Sequence, residues 1–289
     1  MKHVPLTRRE LLAAGAALAV PKYSPTVAAQ FYVWTQQFQK EKKTLAEGVP
    51  EALAAIKRAG YGQVELMSSV FESRVREITM AALRKEAIEV PIVYDGGPMH
   101  EPAAAEATIA KTLELAGAAA SAGARIIDFN PSPKQERKTL DELKTEARFV
   151  RRLAGELHAR GSRLILHHHN PEMADGAREW RFLLNETDVP LCLDLHWVYR
   201  GGQDPMALLR EAAKRVASLH LRNSRQGVWT EDLGDGDIDY RGVAAHIGKA
   251  GFSGYLVVEL AYEKSTAITR TLEESLRRSR MYVEQVFTV

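Results

Sequence analysis

The chain has 289 residues, 45% hydrophobic and 26% charged, enough apolar material for one large α/β domain or two small ones. A single cysteine, Cys192, excludes an internal disulfide framework and a cysteine-rich metal site; inside the apolar run Val189-Pro190-Leu191-Cys192-Leu193 it reads as a packed, inert thiol. The formal charge of +2 sits at the amino terminus, where the first 29 residues hold four cations and one anion; the remainder holds 35 cations and 36 anions, a poor footprint for a nucleic-acid binder.

In chain order, Thr7-Arg8-Arg9-Glu10-Leu11-Leu12 precedes a small apolar run over 13–20 and small residues at Ala28-Ala29. This follows the logic of a secretory signal, and the paired arginines resemble a twin-arginine address for export to the periplasm; the apolar run is too short to span a bilayer. Residues 1–29 are therefore expected to be a leader, with the folded domain at 30–289. If the leader is not a signal, the protein stays in the cytoplasm.

From Gln30 onward short apolar runs alternate with amphipathic segments. Strands are predicted over 31–34, 63–66, 90–94, 125–129, 164–168, 191–194, 217–220 and 255–259. Helices are predicted over 49–58, 74–86, 103–120, 141–159, 177–184, 205–213, 240–250 and 266–285, with Gly60, Gly123 and Gly161 as stops and Asp204-Pro205 as a start. Eight strand–helix repeats in about 260 residues imply a parallel sheet closed into a single-domain (β/α)8 TIM barrel. A doubly wound open sheet is disfavoured by the count and by the missing glycine-rich phosphate fingerprint.

In such a barrel, chemistry sits where the strands end. The sharpest end is Leu164-Ile165-Leu166-His167-His168-His169-Asn170-Pro171-Glu172. Strand alternation puts His167 and His169 on the face of Ile165 and His168 on the other. Other strands end near Glu65, Asp95, Asp194 (with His196 beyond it), His220 and Glu259. Ionisable groups in apolar runs are costly unless paired, so four successive strands ending in potential ligands point to a divalent cation.

These segments resemble the xylose-isomerase-like sugar isomerase/epimerase superfamily, from Gln30 to the carboxyl terminus. Gln30-Phe31-Tyr32-Val33-Trp34 looks like its first strand, and Ala59-Gly60-Tyr61-Gly62-Gln63-Val64-Glu65-Leu66 like its second. Leu166-His167-His168-His169-Asn170-Pro171-Glu172-Met173, Leu193-Asp194-Leu195-His196-Trp197 with Gly201-Gly202-Gln203-Asp204-Pro205, and Leu219-His220-Leu221-Arg222-Asn223 follow the later motifs. Leu233-Gly234-Asp235-Gly236-Asp237-Ile238-Asp239 and Gly251-Phe252-Ser253-Gly254-Tyr255-Leu256-Val257-Val258-Glu259 match the last two.

The resemblance implies one divalent metal held by His167, Asp194, His220 and Glu259. His167 stands where the family commonly has a glutamate, and Arg222-Asn223 where it has Lys-Asp. Two imidazoles with two carboxylates favour Mn, Fe, Co, Ni or Zn over Mg. The implied reaction is proton abstraction beside a sugar carbonyl, with Glu259 as base and His169 or Glu172 in the second proton-transfer role. Glu65, Asp95, His196, Trp197 and Arg222 are expected to bind substrate, with Trp34 and Trp229 as further aromatic faces.

The expected partner is a small sugar, keto-sugar or glycoside, not a nucleic acid. Epimerisation, isomerisation and β-elimination from a 3-keto-glycoside all remain open at this stage, as does the oligomeric state. An apurinic endonuclease would need more metal ligands and a basic rim; a non-catalytic sugar-binding barrel is the remaining alternative.

Overall fold

The computed structural model describes residues 25–134 and 136–287. Eight parallel strands close into a barrel: β1 Thr26–Gln30, β2 Gln63–Met67, β3 Glu89–Gly97, β4 Ile126–Pro131, β5 Arg163–Leu166, β6 Leu191–Asp194, β7 Val216–Leu221 and β8 Tyr255–Val258. Each strand lies beside its successor, and β1 pairs with β8, Ala28 opposite Val257. The outer layer comprises α1 Tyr32–Glu41, α2 Leu45–Arg58, α3 Ser73–Glu86, α4 Pro102–Ala120, α5 Leu140–Ala159, α6 Ala174–Glu186, α7 Leu195–Arg200, α8 Pro205–Ala212, α9 Tyr240–Lys249 and α10 Leu272–Phe287. The chain is a single-domain (β/α)8 barrel. Among the described residues, no helix is long and apolar enough to cross a membrane.

The layers inside the barrel place the site. Strand residues alternate between the interior and the helix layer. Ala28, Ile92, Ile126, Ile165, Cys192 and Val257 form an apolar plug inside, separate from the larger core between strands and helices. Two residues further along the same strands come Gln30, Tyr94, Asp128, His167, Asp194 and Glu259, and Glu65 and His220 complete the ring from β2 and β7. One step of the pleat separates a dry core from a polar ring.

Several elements differ from expectation. The first strand is Thr26–Gln30, not 31–34; Tyr32 already opens α1. Phe31, Trp34 and Phe38 recur at helical spacing and pack together (ring centroids 6.2 and 6.4 Å apart), so the aromatic run follows the 3.6-residue period. Small Ala28 and Ala29 fill the strand, both fully buried. The leader expected over 1–29 thus overlaps β1; residues 1–24 lie outside the described residues.

The fifth strand ends at Leu166, although His167 N–H still donates to Phe129 O (2.9 Å). The last helix starts at Leu272 rather than 266, because residues 263–266 form a turn closed by Thr266. Helix α7 and a two-stranded ribbon, Ser224–Arg225 with Val228–Trp229, lack a long periodic pattern and escaped the reading of the sequence.

Behind β5 lies a buried ion-pair cluster. Lys138 Nζ is 2.7 Å from Glu146 Oε2 and 3.1 Å from Glu179 Oε2, with Lys138 and Glu146 almost wholly excluded from water. Removing the cation strands two carboxylates in a poorly solvated space. Lys138→Met is therefore expected to destabilise the fold by about 3–5 kcal/mol, read from urea unfolding. Replacing Glu146 by Leu in the same chain should recover part of that loss, since one buried charge then goes with its partner.

Candidate active site

Four donor groups converge at the carboxyl-terminal mouth. His167 follows β5, Asp194 ends β6, His220 lies in β7 and Glu259 follows β8. One ligand atom from each lies within 4.8 Å of the others. His220 Nδ1 is 3.0 Å from Glu259 Oε2, and His167 Nε2 is 3.9 Å from Asp194 Oδ2. Ligands held roughly 2.0–2.2 Å from a divalent ion stand about 3 Å or more from one another, so the spacing fits. Both ring nitrogens of His167 are buried without a hydrogen-bond partner. A buried imidazole without partners is costly unless something else takes its lone pair.

The surroundings orient these groups. Glu65 Oε2 lies 3.1 Å from His220 Nε2, and Gln30 Nε2 donates to Glu65 Oε1 at 3.4 Å. A carboxylate on Nε2 fixes the tautomer that leaves Nδ1 free to ligate. Asp194 Oδ1 accepts from Trp197 N–H (2.7 Å), so the residue that caps α7 is also aimed into the site. Arg222 reaches Asp194 Oδ2 at 3.3 Å and Glu259 Oε1 at 3.7 Å, with its guanidinium 4.8 Å from the Trp197 ring and 4.5 Å from Trp229. Two aromatic faces screen this cation from water.

Charge balance also favours a cation. Glu65, Asp128, Asp194 and Glu259 are four buried carboxyl groups set against one guanidinium. Burial pushes the Asp194 carboxyl up to about 7, against the pull of Arg222. Burial opposes ionisation of Glu259 too, but Arg222 and His220 prevail and hold it at about 2. Burial followed by Glu65 drives Asp128 well above the carboxylate range. Burial works against a charged His220, yet Cys192 and Glu65 hold its imidazole well above the ordinary range. Protonation thus supplies part of the positive charge that a divalent ion would bring. His167 is pushed well below the usual histidine range by burial and then by His169; burial takes His169 itself down to about 4. Both rings are neutral near pH 7, the state in which imidazole ligates a metal or accepts a proton.

The remaining residues singled out in the sequence are placed as follows. His169 faces the mouth, its ring 4.9 Å from His167 and 5.3 Å from Trp197. His168 points to the helix layer and packs edge-on against Trp180, as alternation required. Glu172 sits behind the β5 loop, accepting from Asn130 Nδ2 (3.1 Å) and His169 N–H (3.1 Å). Its two carboxylate oxygens are thus engaged in bracing the loop, because Pro171 turns the chain outward into a short 3-10 turn.

Asp95 also faces outward, accepting from Thr112 Oγ1 at 2.7 Å, since alternation gives the inward position to Tyr94. Glu65 is fully buried on the ring itself, against His220 Nε2, and is not exposed at the open mouth. His196 is buried between Ser224 Oγ (3.0 Å) and the Arg222 Nε–H, and burial followed by Arg222 lowers it to about 3. Trp34 packs in the helix layer with Phe38 rather than against a ligand. Gln30, Tyr94, Asp128 and Asn130 were missed in the sequence; the pairing of an apolar residue with a polar one two places on, repeated at strand ends, was the available signal.

A (β/α)8 barrel gathering two imidazoles and two carboxylates at its carboxyl-terminal mouth defines a class of enzyme scaffold with a buried His/Asp/Glu cluster consistent with a divalent-metal site. The chain belongs to the xylose isomerase-like TIM barrel family, which matches residues 53–282. Inosose dehydratase of Clostridium perfringens is 28% identical over 168 residues, 50% of this chain and 55% of that protein. The chain thus spans about half the length of the curated relatives it matches. Among solved structures, a sugar phosphate isomerase/epimerase from Parabacteroides distasonis superposes with a TM-score of 0.73 at 17% identity, covering 96% of this chain and 99% of that one. D-psicose 3-epimerase from Clostridium cellulolyticum H10 gives 0.71 at 14% identity, covering 91% and 100%. The structural likenesses show the fold.

Proposed function

We propose that the protein is a divalent-metal-dependent isomerase or epimerase that removes a proton beside the carbonyl of a keto-sugar or keto-glycoside. The observation that carries this reading is the convergence of His167, Asp194, His220 and Glu259 within 4.8 Å at the barrel mouth. These four residues would hold a divalent cation, Mn, Fe, Co, Ni or Zn in preference to Mg, which would supply Lewis-acid polarisation of a carbonyl oxygen and lower the cost of the negative charge left by deprotonation.

Glu259 is the ionised carboxylate of the quartet nearest the opening and accepts the proton. Neutral His169 stands toward β5 and moves the second proton. Tyr94, edge-on to His167, is kept as a phenol by burial and then Asp128; it donates to a substrate oxygen. Trp197 and Trp229 exclude water from the Arg222 side. Glu172 positions His169 through its backbone N–H.

A second reading is favoured by the relatives named inosose dehydratase and by the unequal pair Glu259 and His169. After the same deprotonation, the proton taken up by Glu259 passes on to a β-hydroxyl, neutral His169 relaying it by taking a proton on one ring nitrogen and giving one from the other, and the hydroxyl leaves as water; a glycosidic oxygen would leave the same way from a 3-keto-glycoside. One assay separates the outcomes. The protein loaded with Mn2+, Co2+ or Zn2+ is incubated in D2O with keto-hexoses, 3-keto-glucosides and inosose, and NMR follows the substrate. Deuterium at the carbon beside the carbonyl, with a new sugar formed, is expected for isomerase or epimerase action. Loss of the β-substituent marks the lyase. Neither exchange nor elimination on any of them would overturn the reading.

We also propose export through the twin-arginine-like leader, motivated by Arg8-Arg9 and the following apolar run. Cleavage after Ala29 would remove four of the five residues of β1, so a processed barrel needs its cut before Thr26. Replacing both arginines by lysine is expected to hold the protein in the cytoplasm of a host with that export machinery, read by fractionation and amino-terminal sequencing. Unchanged periplasmic yield would refute it.

A further inference from the structure

We propose that the barrel contains a second, deeper position for a thiophilic divalent ion, formed by Asp128, His167, Cys192 and His220. One ligand atom from each of these residues also lies within 4.8 Å of the others. Cys192 points into the barrel two residues before Asp194 on β6, one layer below the mouth. A buried thiol alone would be ordinary packing. Here it faces a fully buried Asp128, whose carboxylate makes no well-aligned hydrogen bond and has only the His220 ring, 3.4 Å from Oδ2, as a counter-charge, and His167, whose two ring nitrogens have no hydrogen-bond partner. Unpartnered polar groups packed around one point ask for a cation.

His220 can serve either position by opposite edges of its ring. Nδ1 faces Glu259 at 3.0 Å, whereas Nε2 faces Asp128 Oδ2 at 3.4 Å and Glu65 at 3.1 Å; ligation through Nε2 gives up the hydrogen bond to Glu65 and shifts the ring proton to Nδ1, toward Glu259. Two ions at once would require His167 and His220 both to bridge as doubly deprotonated rings, so the positions fill one at a time. The upper set has only nitrogen and oxygen donors. The lower set replaces one carboxylate by sulfur, and a tetrahedral set of two imidazoles, one carboxylate and one thiolate favours Zn2+, Co2+ or Cd2+ over Mn2+ or Mg2+. Binding is a ligand exchange without redox: the thiol proton leaves to solvent and a metal–sulfur bond forms. A deep ion takes His167 and His220 from the upper quartet. Zn2+ and Co2+ would then divide between the two positions in favour of the deep one, while Mn2+ stays at the mouth, so Mn2+ is the metal expected to support the mouth reaction best.

The proposal is independent of the reaction assigned to the mouth, because its readout is spectroscopic. The metal-free full chain is titrated with Co2+. Since Cys192 is the single cysteine of the chain, thiolate-to-cobalt charge-transfer absorption in the near ultraviolet can arise only from it. The expected result is that band at one Co2+ per chain, its loss in Cys192→Ala and Cys192→Ser with visible cobalt bands retained from the upper set, and a fall in Zn2+ affinity of roughly tenfold or more with Mn2+ affinity nearly unchanged. Stoichiometric cobalt binding by the unaltered chain without the thiolate band would overturn the proposal. So would Zn2+ affinity unaffected by both substitutions. If neither variant folds, the band in the unaltered chain decides alone.

Discussion

Glu259→Gln is expected to lower the rate of deuterium exchange beside the substrate carbonyl by about 10²–10⁴-fold, the range a positioned general base contributes. Glutamine keeps the shape of the side chain but not the charge that pairs with His220 and Arg222, so the circular dichroism spectrum should be unchanged while the melting temperature falls. It cannot accept the proton. The replaced carboxylate is also one of four clustered donors, and metal content must therefore be measured on the same sample by elemental analysis. Retained metal with lost exchange assigns Glu259 to proton transfer. Lost metal with exchange restored at high metal concentration leaves it as a ligand only. Full exchange at ordinary metal concentration removes it from the mechanism.

The second large effect separates two adjacent histidines. His167→Ala is expected to weaken divalent-metal binding by more than about 100-fold, because loss of an outer-shell partner alone costs roughly 10–100-fold and the proposed role of His167 is that of a direct donor. His168→Ala, one residue away, should leave metal affinity within about twofold and lower stability instead, since its ring packs against Trp180 in the helix layer. Equilibrium dialysis with Mn2+ gives the first quantity and urea unfolding the second. Equal loss of metal in both variants would mean that the alternation of this strand end does not decide which imidazole enters the barrel.

That contrast shows how far a linear reading reaches. Alternation alone assigned His167 and His169 to one face and His168 to the other; the contacts of His167 with His169 and His220 and of His168 with Trp180 agree, while the His168 ring also stacks 5.8 Å from that of His167. The same rule, applied without the third dimension, misplaced Asp95: it ends an apolar strand as a ligand would, but Tyr94 holds the inward parity and Asp95 bonds Thr112. Glu172 stands elsewhere than its place in the chain suggests, for another reason. Its distance from the histidines along the chain is short, yet the turn at Pro171 carries it behind β5 to Asn130. Trp34 shared a run with strand-like neighbours, and its helical spacing from Phe31 and Phe38 decided its place.

The amino-acid sequence by itself determined the eight-fold alternation of strand and helix, hence the barrel, because hydrophobic periodicity is local and survives without knowledge of neighbours. It also determined which strand ends carry imidazole and carboxylate. Only the tertiary structure decided which of these groups meet. Distances among Glu65, Asp128, Cys192 and His220 depend on the register and closure of strands far apart in the chain, and no local pattern encodes them. The polar ring above the apolar plug exists because closure brings eight inward positions to one level, and there the unpaired lone pairs of His167 and Asp128 acquire a chemical meaning.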